Sequence, residues 1–221
     1  MTSKLSDFKV LTFDCYGTLI DWETGIWDAL QPLIAENRAT SSTEDLIERH
    51  RALAAFAQCE HAQQAESPQM LYPDLLAATH ARIATALGLS SNANLDSDFG
   101  QSVPHWPAFA DSANALRFLK TRYKLVILSN VHRAGIAASI RKLGVEFDAV
   151  YTAEDIGSYK PADANFEYLL QHLKQDFNLN PSDVLHTAQS LFHDHAQANK
   201  FGLANAWIDR QRLDASGNAG V

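Results

Sequence analysis

Four places in the chain carry side chains that could do chemistry, and each follows an apolar run. The first is Asp14 in the stretch FDCYGTL, where a glycine turn and the hydroxyl of Thr18 come directly after the aspartate. An aspartate held out at such a turn can act as a nucleophile when a cation and hydrogen-bond donors stabilise the charges. The other three places supply these groups or a second carboxylate: Ser129 with Asn130, Lys160, and Asp194.

The elements that must position these groups are short buried strands. Apolar runs rich in β-branched and aromatic residues predict strands at 8–14, 123–130, 148–154, 183–189 and 205–210. Helical patterns at 112–121, 133–143, 164–177 and 195–201 alternate with them. The alternation predicts an α/β fold with a Rossmann-like, doubly wound parallel sheet. Because the carboxyl ends of parallel strands meet at one edge of a sheet, the four places are expected to converge there.

A long helical segment separates the first two predicted strands. It contains helical patterns at 24–36, 42–64 and 73–87, followed by a polar stretch at 88–98. A crossover between parallel strands needs far less chain than this. We therefore predict an inserted helical cap domain at 20–99, with an α/β core domain formed by 1–19 and 100–221.

The composition limits the classes of partner. The 221 residues carry a net charge of -8, and 46% of them are hydrophobic, as in an ordinary globular protein. Nucleic acids and anionic membranes are therefore not the expected partners. The N-terminus lacks the apolar core of a signal peptide, and no apolar run is long enough to span a bilayer, so a cytoplasmic location is expected.

The motifs DCYGTL, LSN and YKP, with a final aspartate ahead of FGLANAWIDR, resemble those of the haloacid dehalogenase superfamily. The resemblance covers nearly the whole chain and places the helical insertion directly after the first motif. It implies an α/β core with a cap. Since the superfamily consists largely of magnesium-dependent phosphatases, the implied activity depends on which branch the chain resembles.

Two positions separate the branches. Phosphatase members carry a second aspartate, the acid and base for the leaving group, where this chain has Tyr16, and an acidic metal ligand where it has Gln189. A neutral amide is a poor substitute for a carboxylate on magnesium. Tyrosine in the first motif is similar to the type II L-2-haloacid dehalogenases. That resemblance implies hydrolysis of short (S)-2-haloacids with no metal and no cofactor.

The resemblance also implies catalytic roles. Asp14 would attack C2 of the haloacid and form an ester, which water then hydrolyses. Lys160 would steady the carboxylates, and Asp194 would position or deprotonate the water. Thr18 and Ser129 would orient Asp14 and the substrate carboxylate.

Five further residues are implied to bind substrate or halide: Cys15, Tyr16, Arg49, Asn130 and His193. Backbone N–H groups after Asp14, those of Cys15 and Tyr16, and others around Ser129 would complete the cradle for the substrate carboxylate. Asn130 would donate to the halide. The cap arginine that takes the halide is expected to be Arg49, with Arg51 as the second choice.

The histidines near the fourth motif leave alternatives open. His193 either lines the halide pocket or is exposed at a helix start. We expect His195 to be exposed and His186 to be a core residue. Departures from the dehalogenase pattern are Leu191, in place of an asparagine, and Phe166, in place of a tyrosine; each removes one hydrogen-bonding group from the implied site.

The alternatives to a haloacid dehalogenase are a magnesium-dependent phosphatase of a small phosphomonoester and a non-catalytic binding protein with the same fold. Retention of all five implied catalytic residues disfavours the binding protein. A homodimer is implied only by similarity to the family.

Overall fold

The computed structural model describes residues 4–40 and 47–210. They contain a five-stranded parallel sheet in the order β3-β2-β1-β4-β5. The strands are β1 (Val10–Phe13), β2 (Lys124–Ser129), β3 (Ala149–Thr152), β4 (Val184–Ala188) and β5 (Ala204–Trp207). The predicted α/β class is confirmed, as are the five strands, and each observed strand is shorter than its apolar run.

Strand β1 lies at the centre of the sheet, between β2 and β4. All four of its residues are buried, as expected for a strand that is covered on both faces. The register pairs Phe13 with Ile127 of β2 and with Thr187 of β4. The segments that leave these three strands therefore begin side by side at one edge of the sheet.

A helical unit, Trp22–Pro107, is inserted between β1 and β2. Its helices are α1 (Trp22–Ala29), α2 (Gln31–Thr40), α3 (Arg49–Glu66), α4 (Tyr72–Leu87) and α5 (Ala93–Gly100). The helix predicted at 24–36 is two helices, and part of the helix predicted at 42–64 lies outside the described residues. Helix α5 falls in the stretch predicted as polar; the Asn92 side chain begins it by accepting from the N–H groups of Asn94 and Leu95.

The sheet unit consists, in its described part, of residues 4–21 and 108–210. Its helices are α6 (Ser112–Lys120), α7 (Arg133–Leu143), α8 (Ala153–Ile156), α9 (Asp163–Phe177) and α10 (Ala196–Lys200). Helix α9 buries Phe166, Leu169 and Leu173, a helical i, i+3, i+7 spacing, in the core formed with β1, β2 and β4. A single π-helical turn, Leu191–His195, precedes α10.

Within the described ranges, no helix combines the length and the apolar character needed to cross a bilayer.

Gly25 of α1 is packed against Trp106 inside the helical unit. A Cβ atom at Gly25 would overlap the Trp106 ring, whose side chain is fully buried. We expect Gly25→Ala to lower the free energy of unfolding by about 1–3 kcal/mol, because a well-packed core must shift to admit the methyl group. Urea denaturation measures this, with Ala54→Ser on the exposed face of α3 as the control. A neutral Gly25→Ala would contradict this packing.

Candidate active site

The Asp14 loop begins where β1 ends. The N–H of Asp14 donates to the carbonyl of Thr187 in β4 at 3.1 Å, which extends the sheet pairing by one residue. The chain then turns at Gly17, whose φ of 95° is strained for any residue with a side chain. The N–H of Gly17 donates to the carbonyl of Ile20 at 2.8 Å and closes the turn. The loop therefore holds the Asp14 carboxylate at the carboxyl end of the sheet.

Lys160 joins the two carboxylates of the site. Its Nζ donates to Oδ1 of Asp14 at 2.9 Å, to Oδ1 of Asp194 at 2.6 Å and to the carbonyl of Leu128 at 3.2 Å. The side chains of Lys160 and Asp194 are each only 1% exposed. A charge at this depth requires close partners of opposite charge, and all three donors of the ammonium are used.

The three charges shift one another's pKa values. Burial disfavours the charged form of Lys160, but the two carboxylates outweigh it and raise the pKa of Lys160 to about 12. Burial also opposes ionisation of Asp194, yet Lys160 and His186 hold its pKa well below the usual range. For Asp14, burial and repulsion from Asp194 raise the pKa, against the opposing effect of Lys160 and Thr18. By the directions of these shifts, Asp194 is the weaker base of the two carboxylates.

Thr18 fixes the second oxygen of Asp14. Its hydroxyl donates to Oδ2 of Asp14 at 2.8 Å and accepts from the N–H of Gln189 at 3.0 Å. Because Oδ1 is held by Lys160, both carboxylate oxygens have a fixed donor. The structure therefore brings together four of the predicted catalytic residues: Asp14, Thr18, Lys160 and Asp194.

Ser129 and Asn130 follow β2 and differ in what they contact. Ser129 is buried, and its hydroxyl has no hydrogen-bond partner among the described residues, so it can serve a ligand. The Asn130 side chain is committed to the backbone of Lys160: its Oδ1 accepts from the N–H at 2.7 Å, and its Nδ2 donates to the carbonyl at 3.1 Å. Asn130 thus positions Lys160, and donation to halide stays a prediction.

The two residues after Asp14 carry neutral side chains. The Tyr16 hydroxyl forms a hydrogen bond of 2.9 Å with the hydroxyl of Ser139 in α7, and burial raises its pKa well above the usual value. Cys15 is fully buried, and burial likewise raises the pKa of its thiol. Tyr16 therefore does not supply the carboxylic acid that the phosphatase motif has at this position.

His193 and His195 lie on opposite sides of Asp194 in the chain and differ in exposure. His193 is half-buried and hydrogen-bonded to Ser190. The Ser190 hydroxyl oxygen lies 3.1 Å from Nδ1 of His193 and accepts from the backbone N–H of His193 at 3.0 Å. The prediction that His195 is exposed is wrong, because its side chain is buried. The π-helical turn directs its ring inward, where Nδ1 lies 2.8 Å from Oδ1 of Asn205 and Nε2 lies 2.9 Å from the carbonyl of Ala188.

His186 is a buried residue with a hydrogen-bond partner at each ring nitrogen, which confirms the prediction of a core residue, but one of those partners is a carboxylate of the candidate site. Its Nε2 lies 3.0 Å from Oδ1 of Asp194 and its Nδ1 lies 2.8 Å from the hydroxyl of Thr12. The sequence signal that could have indicated this contact is the presence of one polar residue within each of two buried strands, Thr12 in β1 and His186 in β4. Thr12 lies two residues before Asp14, hence on the same face of β1.

Arg49 and Arg51 lie at the start of α3 in the helical unit, and both are exposed. Arg49 donates to the hydroxyl of Thr24 at 2.9 Å. Nothing in these contacts favours either arginine as the halide ligand, so the choice stays a prediction.

Known proteins resemble this chain both in sequence pattern and in fold. A family model described as haloacid dehalogenase-like hydrolase matches residues 8–187. No curated protein matches the chain. L-2-haloacid dehalogenase from Xanthobacter autotrophicus superposes with a TM-score of 0.76 at 20% identity, over 94% of this chain and 79% of that one.

Two other solved structures show the same fold. The defluorinating L-2-haloacid dehalogenase Rha0230 has a TM-score of 0.74 at 19% identity, over 99% of this chain and 91% of that one. A candidate HAD hydrolase of Bacillus subtilis, YfnB, bound to magnesium, also has a TM-score of 0.74, at 17% identity over 93% and 91% of the two chains. Such low identities establish a shared fold, and the family match establishes more: the chain belongs to the haloacid dehalogenase-like hydrolases.

Proposed function

We propose that the protein hydrolyses short-chain 2-haloacids through an ester on Asp14, without a metal ion. The observation that carries the proposal is the position of Lys160, whose Nζ lies between Oδ1 of Asp14 and Oδ1 of Asp194, at 2.9 and 2.6 Å. A nucleophile, a cation and a second carboxylate are thereby in one buried cluster. These are the groups that displacement at carbon followed by ester hydrolysis requires.

The first step is displacement of the halide. A carboxylate oxygen of Asp14 attacks C2 of the substrate, the new C–O bond forms, and the halide leaves with the electron pair of the C–X bond. No proton moves in this step. The negative charge of Asp14 departs with the halide, and Lys160 remains paired with Asp194. The hydroxyl of buried Ser129, which has no hydrogen-bond partner in the described part of the chain, is available to the substrate carboxylate.

The second step is hydrolysis of the ester. Water attacks the carboxyl carbon of Asp14 and gives one proton to Asp194, while Lys160 stabilises the oxyanion that forms. The acyl C–O bond then breaks, and the departing alkoxide takes the proton from Asp194. The product is a 2-hydroxy acid. The second proton of the water is released to solvent, so Asp14 regains a carboxylate that contains the oxygen of the water.

The alternative, a magnesium-dependent phosphatase, is favoured only by the magnesium-bound relative of the same fold. The donor set here fits magnesium poorly. Oδ1 of both carboxylates accepts from the Lys160 ammonium, and Gln189 supplies a neutral amide where phosphatases have an acidic ligand. Tyr16, bonded to Ser139, likewise replaces the aspartate that would protonate a leaving group.

Halide release in the presence of EDTA tests the proposal. Purified protein is incubated with both enantiomers of 2-chloropropionate and with chloro-, bromo- and fluoroacetate, and free halide is measured by ion chromatography. We expect turnover of the (S) enantiomer and of a haloacetate at a rate that EDTA leaves unchanged. A parallel panel of phosphomonoesters with magnesium serves as the comparison. Lack of halide release across the panel, or phosphate release that chelation abolishes, would contradict the proposal.

A further inference from the structure

The Thr12–His186–Asp194 chain of hydrogen bonds is a feature to which the proposed reaction has so far given no role. Thr12 and His186 occupy paired positions in the adjacent strands β1 and β4, and both side chains are fully buried. Polar side chains in the middle of a sheet are costly unless each hydrogen-bonding group is satisfied. Here the hydrogen bonds connect Thr12, through His186, to Asp194 of the candidate active site.

The chemistry of the partners fixes the tautomer of His186. An ionised carboxylate can only accept, so Nε2 of His186 carries the hydrogen and donates to Oδ1 of Asp194 across 3.0 Å. In the neutral imidazole, Nδ1 is then the acceptor, and it receives the hydroxyl hydrogen of Thr12 across 2.8 Å. The ring of Phe166 packs edge-on against the imidazole, with centroids 5.2 Å apart, and restricts its rotation.

Two donors therefore converge on one oxygen of Asp194. Oδ1 receives the Lys160 ammonium at 2.6 Å and the His186 imidazole at 3.0 Å. Oδ2 is buried and has no hydrogen-bond partner among the described residues. A lysine on a flexible stem acts as a point charge, which leaves the carboxylate free to rotate about its last bond. A second donor from a fixed direction removes that freedom.

We infer that His186 is a positioning residue for ester hydrolysis: it holds the Asp194 carboxylate so that Oδ2 faces the hydrolytic water. The inference rests on the proposed function. His186 is expected to affect only the second half-reaction, hydrolysis of the ester. Asp14, which acts in the first, is held by Lys160 and Thr18 and makes none of its described hydrogen bonds with His186. Loss of His186 should therefore slow hydrolysis of the ester and leave its formation largely intact.

Rapid-quench kinetics with (S)-2-bromopropionate tests this separation. We expect His186→Leu to release about one equivalent of bromide in a fast burst. Steady turnover should then be about 10²-fold slower than in the wild type, which is the effect of a misplaced catalytic group. Intact mass spectrometry should find the ester accumulating on Asp14. His186→Gln places an amide N–H near the position of Nε2 and should recover most of the lost rate.

Thr12→Val provides a second variant in case His186→Leu does not fold, since valine has nearly the shape of threonine. Like His186→Leu, it should slow turnover and cause the ester on Asp14 to accumulate. As a spectroscopic readout, ¹⁵N-labelled histidine should show His186 as the Nε2–H tautomer, with a proton signal that shifts in Asp194→Asn.

The outcomes are distinguishable. A wild type without halide release means that the proposed function itself fails. If the wild type turns over, the inference is overturned by folded His186 or Thr12 variants that show wild-type turnover. It is equally overturned if burst and turnover slow to the same extent, or if His186→Gln loses as much rate as His186→Leu.

Discussion

Asp14→Asn is expected to abolish halide release, with a loss of at least about 10⁴-fold in turnover, because a neutral amide is a poor nucleophile toward carbon. The substitution keeps the shape of the side chain and an oxygen that can accept from Lys160 or Thr18. Asp163→Asn, an exposed aspartate paired with Lys200 at the surface, is the matched control and should retain wild-type turnover.

Isotope labelling sharpens this prediction. In a single turnover of the wild type in H₂¹⁸O, the product hydroxyl should carry the oxygen of Asp14, unlabelled, and the label should enter the Asp14 carboxylate. Labelled product in the first turnover would mean that water attacks C2 directly. Persistent halide release by Asp14→Asn would assign the nucleophile to another group, and both results would contradict the ester mechanism.

Lys160→Met should have the second largest effect. We expect turnover to fall by about 10³-fold, since the cation that stabilises the developing charge is lost. We also expect the free energy of unfolding at pH 8 to fall by about 3–5 kcal/mol, since two buried carboxylates lose their common partner. Urea denaturation measures the second effect, and Lys200→Met at the surface is the control, with little change expected.

The loss of stability in Lys160→Met should depend on pH. In the wild type the pKa of Lys160 is raised from its ordinary value of 10.5 to about 12. The stabilisation that the charged lysine provides is therefore complete below pH 10.5 and is lost only as the pH rises through about 12. In the variant, Asp14 and Asp194 ionise without a cation, and protonation relieves them at low pH. The difference from the wild type should therefore be smaller at pH 5 than at pH 8. A difference that is constant between these values would contradict the assigned charges.

The sequence carried enough information to predict the sheet and most of the carboxyl-end site. Runs such as KLVILS in β2 are apolar because parallel strands are buried on both faces. The residues after such runs converge for topological reasons, which is why Asp14, Lys160 and Asp194 could be grouped in advance.

What escaped prediction depends on distances between residues far apart in the chain. His186 is a core residue, as predicted, but only the register that places it opposite Thr12 shows that its ring reaches Asp194. His195 looked exposed because an ordinary helix start was assumed where the chain makes a π-helical turn. Asn130 looked like a ligand donor, and only its two bonds across to Lys160 show that it also supports the loop of that lysine.

The burial of Cys15 has a consequence for the durability of the proposed enzyme. Haloacetates and related haloacids are themselves alkylating reagents for thiols, and Cys15 adjoins the nucleophile in sequence. Only a thiolate reacts at a useful rate, and burial together with the charge of Asp14 raises the pKa of Cys15 well above its usual value. With the side chain fully buried as well, the thiol stays protonated and shielded. In the proposed reaction, the sulfur next to Asp14 is therefore not expected to compete with Asp14 as a site of alkylation.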